Sequence, residues 1–219
     1  MALHPAGEHL AAWAAEQPEK SAVVMAGAGA GAARTYAELD AAATRLALAL
    51  RQRGMGTGDR LAVLVDNEPA FFEVVWAAMR TGLHVVPVNW HLRAEEAGFI
   101  VADSGATALV ATARLGEVAT ALGSADLACV RHRWSVGGAV EGFEPVEDVV
   151  ASVEPRPVPD EHEGGWMFYS SGTTGRPKGI VSPLPPAPLG APSFLTAMLG
   201  GLFGFTRDTV YLNPAPLYH

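Results

Sequence analysis

The chain has 219 residues, 49% of them hydrophobic, and a formal net charge of -8. These values predict a globular domain with a buried core, and the acidic balance argues against a nucleic-acid partner, which would require clustered Lys and Arg. The single cysteine, Cys129, excludes an internal disulfide and favours a reducing compartment, so we expect a cytoplasmic protein.

The N-terminal third begins with short elements. Residues 1–20 are predicted to form an amphipathic helix, because acidic residues interrupt the apolar stretch and no basic leader precedes it. "SAVVMAG" (21–27) and "ARTY" (33–36) are typical of two strands joined by a Gly/Ala connection. Thr35 and Glu38 have the spacing of a capping box that opens the next helix.

From residue 60 onward, apolar strand-like segments alternate with helical ones. The strand patterns are nearly unbroken apolar runs, as expected when both faces of a parallel sheet are covered. This order predicts an α/β fold, a mainly parallel sheet flanked by helices on both faces. The predicted strands are 60–66, 83–89, 108–112 and 127–134, and the predicted helices are 69–79, 93–102 and 114–122.

Residues 141–163 differ from the rest in composition. Eight acidic residues stand there against one base, Arg156, and prolines recur. This composition predicts a solvated connection, followed by a buried strand at 164–172, "GGWMFYSSG".

That strand leads into "YSSGTTGRPKG", residues 169–179. Its glycines, including Gly179, can adopt the conformations in which successive N–H groups form an anion-binding concavity, and the hydroxyls and one lysine add donors. The loop suits a polyphosphate, but it is not a Walker A loop, because Pro177 precedes the lysine and a glycine follows it. The alternative is a polar surface turn. The candidate phosphate-binding residues are Ser170, Ser171, Gly172, Thr173, Thr174, Gly175 and Lys178.

The same motif resembles the phosphate-binding motif of the adenylate-forming superfamily, which includes acyl-CoA synthetases, luciferases and the adenylation domains of peptide synthetases. Further similar stretches are "TYAELD", "GDRLAVLVDNEPAFFEVVWAAMRTG", "VVPVNWHL", "EEAGFIVADSGA" and "YLNPAPLYH". "VPVNWHL" and "LNPAPLYH" most resemble fatty-acyl and related carboxylate–CoA ligases. The resemblance covers nearly the whole chain, which has less than half of the family's usual length.

The resemblance implies a two-step reaction. A carboxylic acid attacks the α-phosphate of ATP, giving an acyl-adenylate and pyrophosphate, and CoA then accepts the acyl group. It implies that residues 170–175 and Lys178 hold the β- and γ-phosphates, and that His219 lies at the acyl pocket near the adenylate. The alternative for His219 is an ordinary histidine without a role in binding.

Several parts of the family pattern do not occur in this sequence. These are the glutamate that helps to bind Mg²⁺, the aspartate that holds the ribose, and the C-terminal domain with its adenylation lysine. Residues 1–219 therefore resemble an incomplete N-terminal, ATP- and acyl-binding domain, and we assign no catalytic residue and no metal ligand within them. We expect this chain alone to lack adenylation activity. The alternative function is a non-catalytic nucleotide-binding or interaction module.

Residues 184–205 are almost entirely apolar or small. Prolines confine any helix there to about residues 193–203, too short for the roughly 20 residues of a membrane span. The apolar character favours a buried or pocket-lining helix. Because the family would cover this segment with later parts of the same domain, we expect the 219-residue chain to self-associate through it or to show it poorly ordered.

Overall fold

The computed structural model describes residues 9–27, 32–170, 176–184, 188–191 and 194–219. The strands are β1 (Ser21–Val24), β2 (Ala33–Thr35), β3 (Arg60–Leu64), β4 (His84–Pro87), β5 (Ala108–Thr112), β6 (His132–Val136), β7 (Glu144–Pro145), β8 (Gly165–Ser170) and β9 (Lys178–Val181). The helices are α1 (Leu10–Glu16), α2 (Tyr36–Gln52), α3 (Pro69–Arg80), α4 (Ala94–Ser104), α5 (Glu117–Ser124), α6 (Val146–Ala151) and α7 (Phe194–Phe203), with a 3-10 turn at Ala113–Leu115 before α5.

A seven-stranded sheet forms the centre of the fold, with strand order β7-β6-β5-β3-β4-β8-β9. Every neighbouring pair in it is parallel except β8 and β9, which form an antiparallel hairpin. Strands β1 and β2 form a separate antiparallel pair, and the predicted capping box at Thr35 and Glu38 is present at the start of α2. The predicted α/β fold with a mainly parallel sheet is therefore confirmed.

Two hydrophobic layers enclose the sheet, because alternate residues of each strand point to opposite faces. In β3, Leu61 and Val63 pack on the face covered by α2, α3 and α6, whereas Ala62 and Leu64 pack on the face covered by α4 and α5. All four side chains are fully buried. After Arg60, every residue of β3 is apolar, as expected of a strand covered on both sides.

The strand predicted at 127–134 begins later than expected, at His132, and ends at Val136. The apolar residues Leu127 and Val130 are buried in a turn, in which the Val130 N–H donates to the Leu127 carbonyl at 2.9 Å. The run of apolar residues therefore reflected burial and not extended backbone.

The predicted solvated connection at 141–163 is also wrong in part. It contains β7, which extends the sheet, and α6, whose Val149 is buried, as are Val153 and Val158 beyond it. In α6 the acidic residues Glu147 and Asp148 are exposed while Val149 faces the core, so the average composition concealed a packed element. The strand predicted as buried at 164–172 alternates instead, with Met167 buried and Phe168 38% exposed.

Arg80, the last residue of α3, contacts both α2 and the segment 141–163. Its side chain, only 7% exposed, contacts Asp40 at 2.9 Å and Glu161 at 2.6 Å, and it donates to the Thr44 hydroxyl at 2.7 Å. A buried guanidinium needs such partners, since an unpaired one would lose its hydration without compensation.

We predict that Arg80→Ala lowers the free energy of unfolding by about 3 kcal/mol, because it leaves two partly buried carboxylates without their cation. Arg45→Ala is the matched control, since Arg45 is exposed on the same helix as Asp40 and surface substitutions change stability by only about 0.5 kcal/mol. Urea unfolding of both variants measures the difference. Equal stabilities would contradict a structural role for the Arg80 network.

Candidate nucleotide-binding site

Strand β8 ends at the carboxyl edge of the sheet, and the glycine-rich loop follows it directly in the chain. It pairs in parallel with β4, with His84 opposite Gly165, and β4 pairs in parallel with β3. The carboxyl ends of these strands therefore meet at one edge, where open α/β sheets bind ligands. The prediction that the loop leaves this end of a strand is confirmed.

The two described ends of the loop face each other. Ser170 ends β8, Lys178 begins β9, and the two residues are paired in the antiparallel register. Both are exposed, so a hydroxyl and an ammonium group stand side by side at the strand end. The other five predicted phosphate-binding residues, Ser171 to Gly175, lie outside the described residues.

Gly179 has a different role from the one predicted. It lies in β9 opposite Tyr169, and its backbone does not adopt the left-handed conformation expected of an anion-binding turn. A Cβ atom on Gly179 would lie 2.5 Å from Met167 Cε and 3.1 Å from both Cζ and the hydroxyl oxygen of Tyr169. Glycine leaves room here for the Tyr169 ring and the Met167 side chain, which any larger residue would have to displace.

Tyr169 is itself held from outside the hairpin. Its hydroxyl donates to Asp103 Oδ2 at 2.7 Å, from β8 to the end of α4. Burial first, and then this hydrogen bond and the negative charge of Asp103, raise the pKa of Tyr169. The phenol therefore keeps its proton and remains a donor at neutral pH.

The segment that carries His219 reaches the same edge of the sheet. Asn67, shortly after β3, donates through Nδ2 to the Ala215 carbonyl at 3.3 Å and accepts the Leu217 N–H at Oδ1, at 3.0 Å. Leu217 also packs against the hydrophobic layer that includes α3. The imidazole ring of His219 lies tilted against the ring of Tyr218, with ring centroids 4.5 Å apart, and the residue is exposed.

The residues on either side of Asn67 are acidic and anchored. Asp66 Oδ2 lies 3.3 Å from Arg114 Nε. Burial raises the pKa of Glu68, the Thr112 hydroxyl opposes that shift, and the neighbouring Asp66 carboxylate adds to it. These contacts fix the turn between β3 and α3, and with it the direction of the Asn67 side chain.

The structure thus places the described ends of the loop and the His219 segment at one edge of the sheet. Within the described part of the chain, no hydrogen bond or ion pair joins His219 to Ser170 or Lys178. Sequence reasoning missed Asn67 and Asp103, both of which act over long separations along the chain. Asn67 had one local signal, a polar residue between a buried strand and the Pro69 that begins a helix.

Among the described residues, no group of three or more His, Cys, Asp or Glu side chains has the arrangement of a metal site. No helix in that part of the chain is long and apolar enough to cross a membrane.

A mainly parallel sheet with a Gly/Ser/Thr-rich loop at its carboxyl edge defines a nucleotide-binding class of α/β protein. The chain belongs to the AMP-binding enzyme family, which it matches over residues 10–219.

Individual relatives support the same assignment. The chain is 30% identical over 131 residues to the fatty acid–[acyl-carrier-protein] ligase ScoC of Streptomyces coeruleorubidus, a match that covers 58% of this chain and 24% of that protein. It is 33% identical over 129 residues to the long-chain-fatty-acid–CoA ligase FadD13 of Mycobacterium tuberculosis, covering 58% and 25%. The chain therefore spans about a quarter of the length of these curated relatives.

A solved structure agrees with the fold. The inhibitor-bound N-terminal domain of FACL13 from Mycobacterium tuberculosis superimposes with a TM-score of 0.66 and 28% sequence identity. The match covers 79% of this chain and 42% of that one.

We predict that Gly179→Ala lowers the free energy of unfolding by about 1 to 3 kcal/mol, because the new methyl group must displace Met167 or the Tyr169 ring. Gly201→Ala is the control, since a Cβ there meets nothing within 4 Å. In a helix such as α7, alanine should stabilise by up to about 1 kcal/mol. Urea unfolding followed by tryptophan fluorescence distinguishes the two, and a neutral Gly179→Ala would contradict the close approach.

Proposed function

We propose that this chain is the N-terminal part of an ATP-dependent carboxylate–CoA ligase, which forms an acyl-adenylate and then an acyl thioester. One observation carries the proposal: in a member of the AMP-binding enzyme family, the loop between Ser170 and Lys178 leaves the carboxyl edge of a parallel sheet. On this view residues 1–219 are an incomplete ATP- and acyl-binding domain.

The geometry is suited to a polyphosphate. The exposed Ser170 hydroxyl and Lys178 ammonium group lie opposite each other, so both can reach the same phosphate group of ATP. Residues 171–175 would add N–H and hydroxyl donors between them. These groups would stabilise the negative charge that grows on the phosphate oxygens as pyrophosphate leaves.

Other ligands follow from the same proposal. We propose that His219 lines the acyl pocket, because Asn67 holds its segment at the edge from which the loop emerges. Mg²⁺ would accompany ATP, and we assign no residue of this chain as its ligand. The single cysteine supports the cytoplasm as the location.

The acyl acceptor is proposed as CoA and the acid as a fatty acid. One relative is named for ligation of a fatty acid to CoA and another for ligation to an acyl-carrier protein. Both acceptors present a thiol, so the adenylation step is common to them, and a comparison of CoA with acyl-carrier protein as the second substrate separates the two.

The test is ATP–pyrophosphate exchange in the protein as its gene encodes it, with a series of fatty acids. Exchange that depends on the added acid supports the ligase. Saturable ATP binding without exchange for any acid would favour the alternative, a non-catalytic nucleotide-binding module, and the absence of both would overturn the proposal.

We predict that Lys178→Ala slows exchange about ten- to hundred-fold, because one charge-assisted contact contributes about 1.5 to 3 kcal/mol. The chain has one other lysine, Lys20, whose ammonium group donates to the Arg207 carbonyl at 3.3 Å. Lys20→Ala removes the same charge elsewhere and should leave exchange kinetics unchanged. Equal activity of the two variants would contradict a role for Lys178 in binding ATP.

We also propose self-association through residues 184–205. In the described part of this segment, Met198, Leu202 and Phe203 are 36%, 70% and 67% exposed. Exposed apolar clusters of this kind mark interaction surfaces. Sedimentation velocity should show concentration-dependent association that the Leu202→Glu, Phe203→Glu double variant abolishes, and a monomer at all concentrations would contradict it.

A further inference from the structure

We propose that helix α4 is a platform that positions both ends of the phosphate loop, with Asp103 and Phe99 as its positioning residues. The proposal deepens the proposed function and rests on it, because its consequence is the affinity for ATP. Neither residue belongs to the loop, and neither would touch the nucleotide.

The contacts come from one face of the helix. Phe99 and Asp103 are four residues apart in α4, so their side chains are neighbours on its surface. Asp103 accepts the hydrogen bond from Tyr169, two residues before the undescribed part of the loop. The guanidinium carbon of Arg176, the first residue after that part, lies 5.6 Å from the centroid of the Phe99 ring.

These two contacts define where the loop starts and ends. A cation at this distance from a phenyl face is attracted to it, and a hydrogen bond to a carboxylate is stronger than one between neutral groups. Six residues, 170–175, separate the two anchored residues Tyr169 and Arg176, so α4 contacts the chain on both sides of the loop.

The platform also reaches Lys178. Tyr169 is held by Asp103, and its ring lies over Gly179, the residue paired with it in β9. Movement of the ring would therefore shift the β9 backbone next to Lys178. A change at Asp103 is transmitted to the lysine through one aromatic side chain.

Helix α4 does not need these contacts in order to fold. Its buried residues Ala97, Ile100 and Val101 pack into the layer beneath it, whereas Asp103 is exposed. Removal of the Asp103 carboxylate should thus disturb the loop and leave the helix in place. This separation allows a role in positioning to be distinguished from one in stability.

The test is a double-mutant cycle in the protein as its gene encodes it, with Asp103→Ala, Tyr169→Phe and the combination. Each single variant removes the same hydrogen bond, so each should raise KM for ATP about three- to ten-fold with kcat nearly unchanged. The double variant should be no worse than the worse single one. Asp103→Asn keeps an acceptor and should restore most of the affinity.

Glu95→Ala is the matched control, because it removes an exposed carboxylate from the same helix. Phe99→Leu retains apolar packing but loses the aromatic face, and a smaller increase in KM, about two-fold, is expected. Unchanged KM in Asp103→Ala and Tyr169→Phe, or fully additive effects, would overturn the platform.

Hydrogen exchange supplies a readout that does not depend on the reaction. Amides of β8 and β9 should exchange faster in Asp103→Ala and Tyr169→Phe than in the parent chain, with Glu95→Ala unchanged. If the parent protein shows no ligase activity, the dissociation constant for ATP replaces KM in the same cycle. Faster hydrogen exchange in these variants without weaker ATP binding would show that the contact has only a structural role, and would reject the inference.

Discussion

The constraint on which this structure depends is the burial of parallel strands on both faces. Strands β3 and β5 are covered by α2 and α3 on one side and by α4 and α5 on the other, and apart from Arg60 all their residues are buried. Such strands cannot expose polar groups along their length, so polar chemistry is confined to their ends. Asp66, Asn67 and the loop after Ser170 all lie where strands end.

Strand ends alone do not make a site, because each must also be held in place. On either side of residues 171–175, the chain contacts α4 through Tyr169 and Arg176. The segment that bears His219 is bound by Asn67. Both supports are side chains that contact backbone or ring groups far along the chain. The residues that would meet the nucleotide are therefore placed by others that would not touch it.

The sheet changes from parallel to antiparallel pairing at the loop. The six strands from β7 to β8 in the sheet order are parallel, whereas β9 follows the loop and runs antiparallel to β8. A parallel return would need a long crossover, but a hairpin needs only a short connection. The hairpin keeps Lys178 beside Ser170, and membership of the AMP-binding enzyme family gives this arrangement its proposed meaning.

The amino-acid sequence alone determined the fold class and the place of the loop. The nearly unbroken apolar runs at 60–66 and 108–112 predict strands that are covered on both faces, and "YSSGTTGRPKG" predicts phosphate binding. Local patterns of this kind carry their meaning within a few residues.

Only the tertiary structure decided the role of Gly179, the packing of residues 141–163, and the parts played by Asn67 and Asp103. Gly179 leaves room for a ring from the opposite strand, and Val149 is buried because a sheet edge lies beneath α6. Asn67 and Asp103 contact residues 150 and 66 positions away. No periodicity or composition encodes contacts over such separations, since they arise only when the sheet brings distant strand ends and helices together.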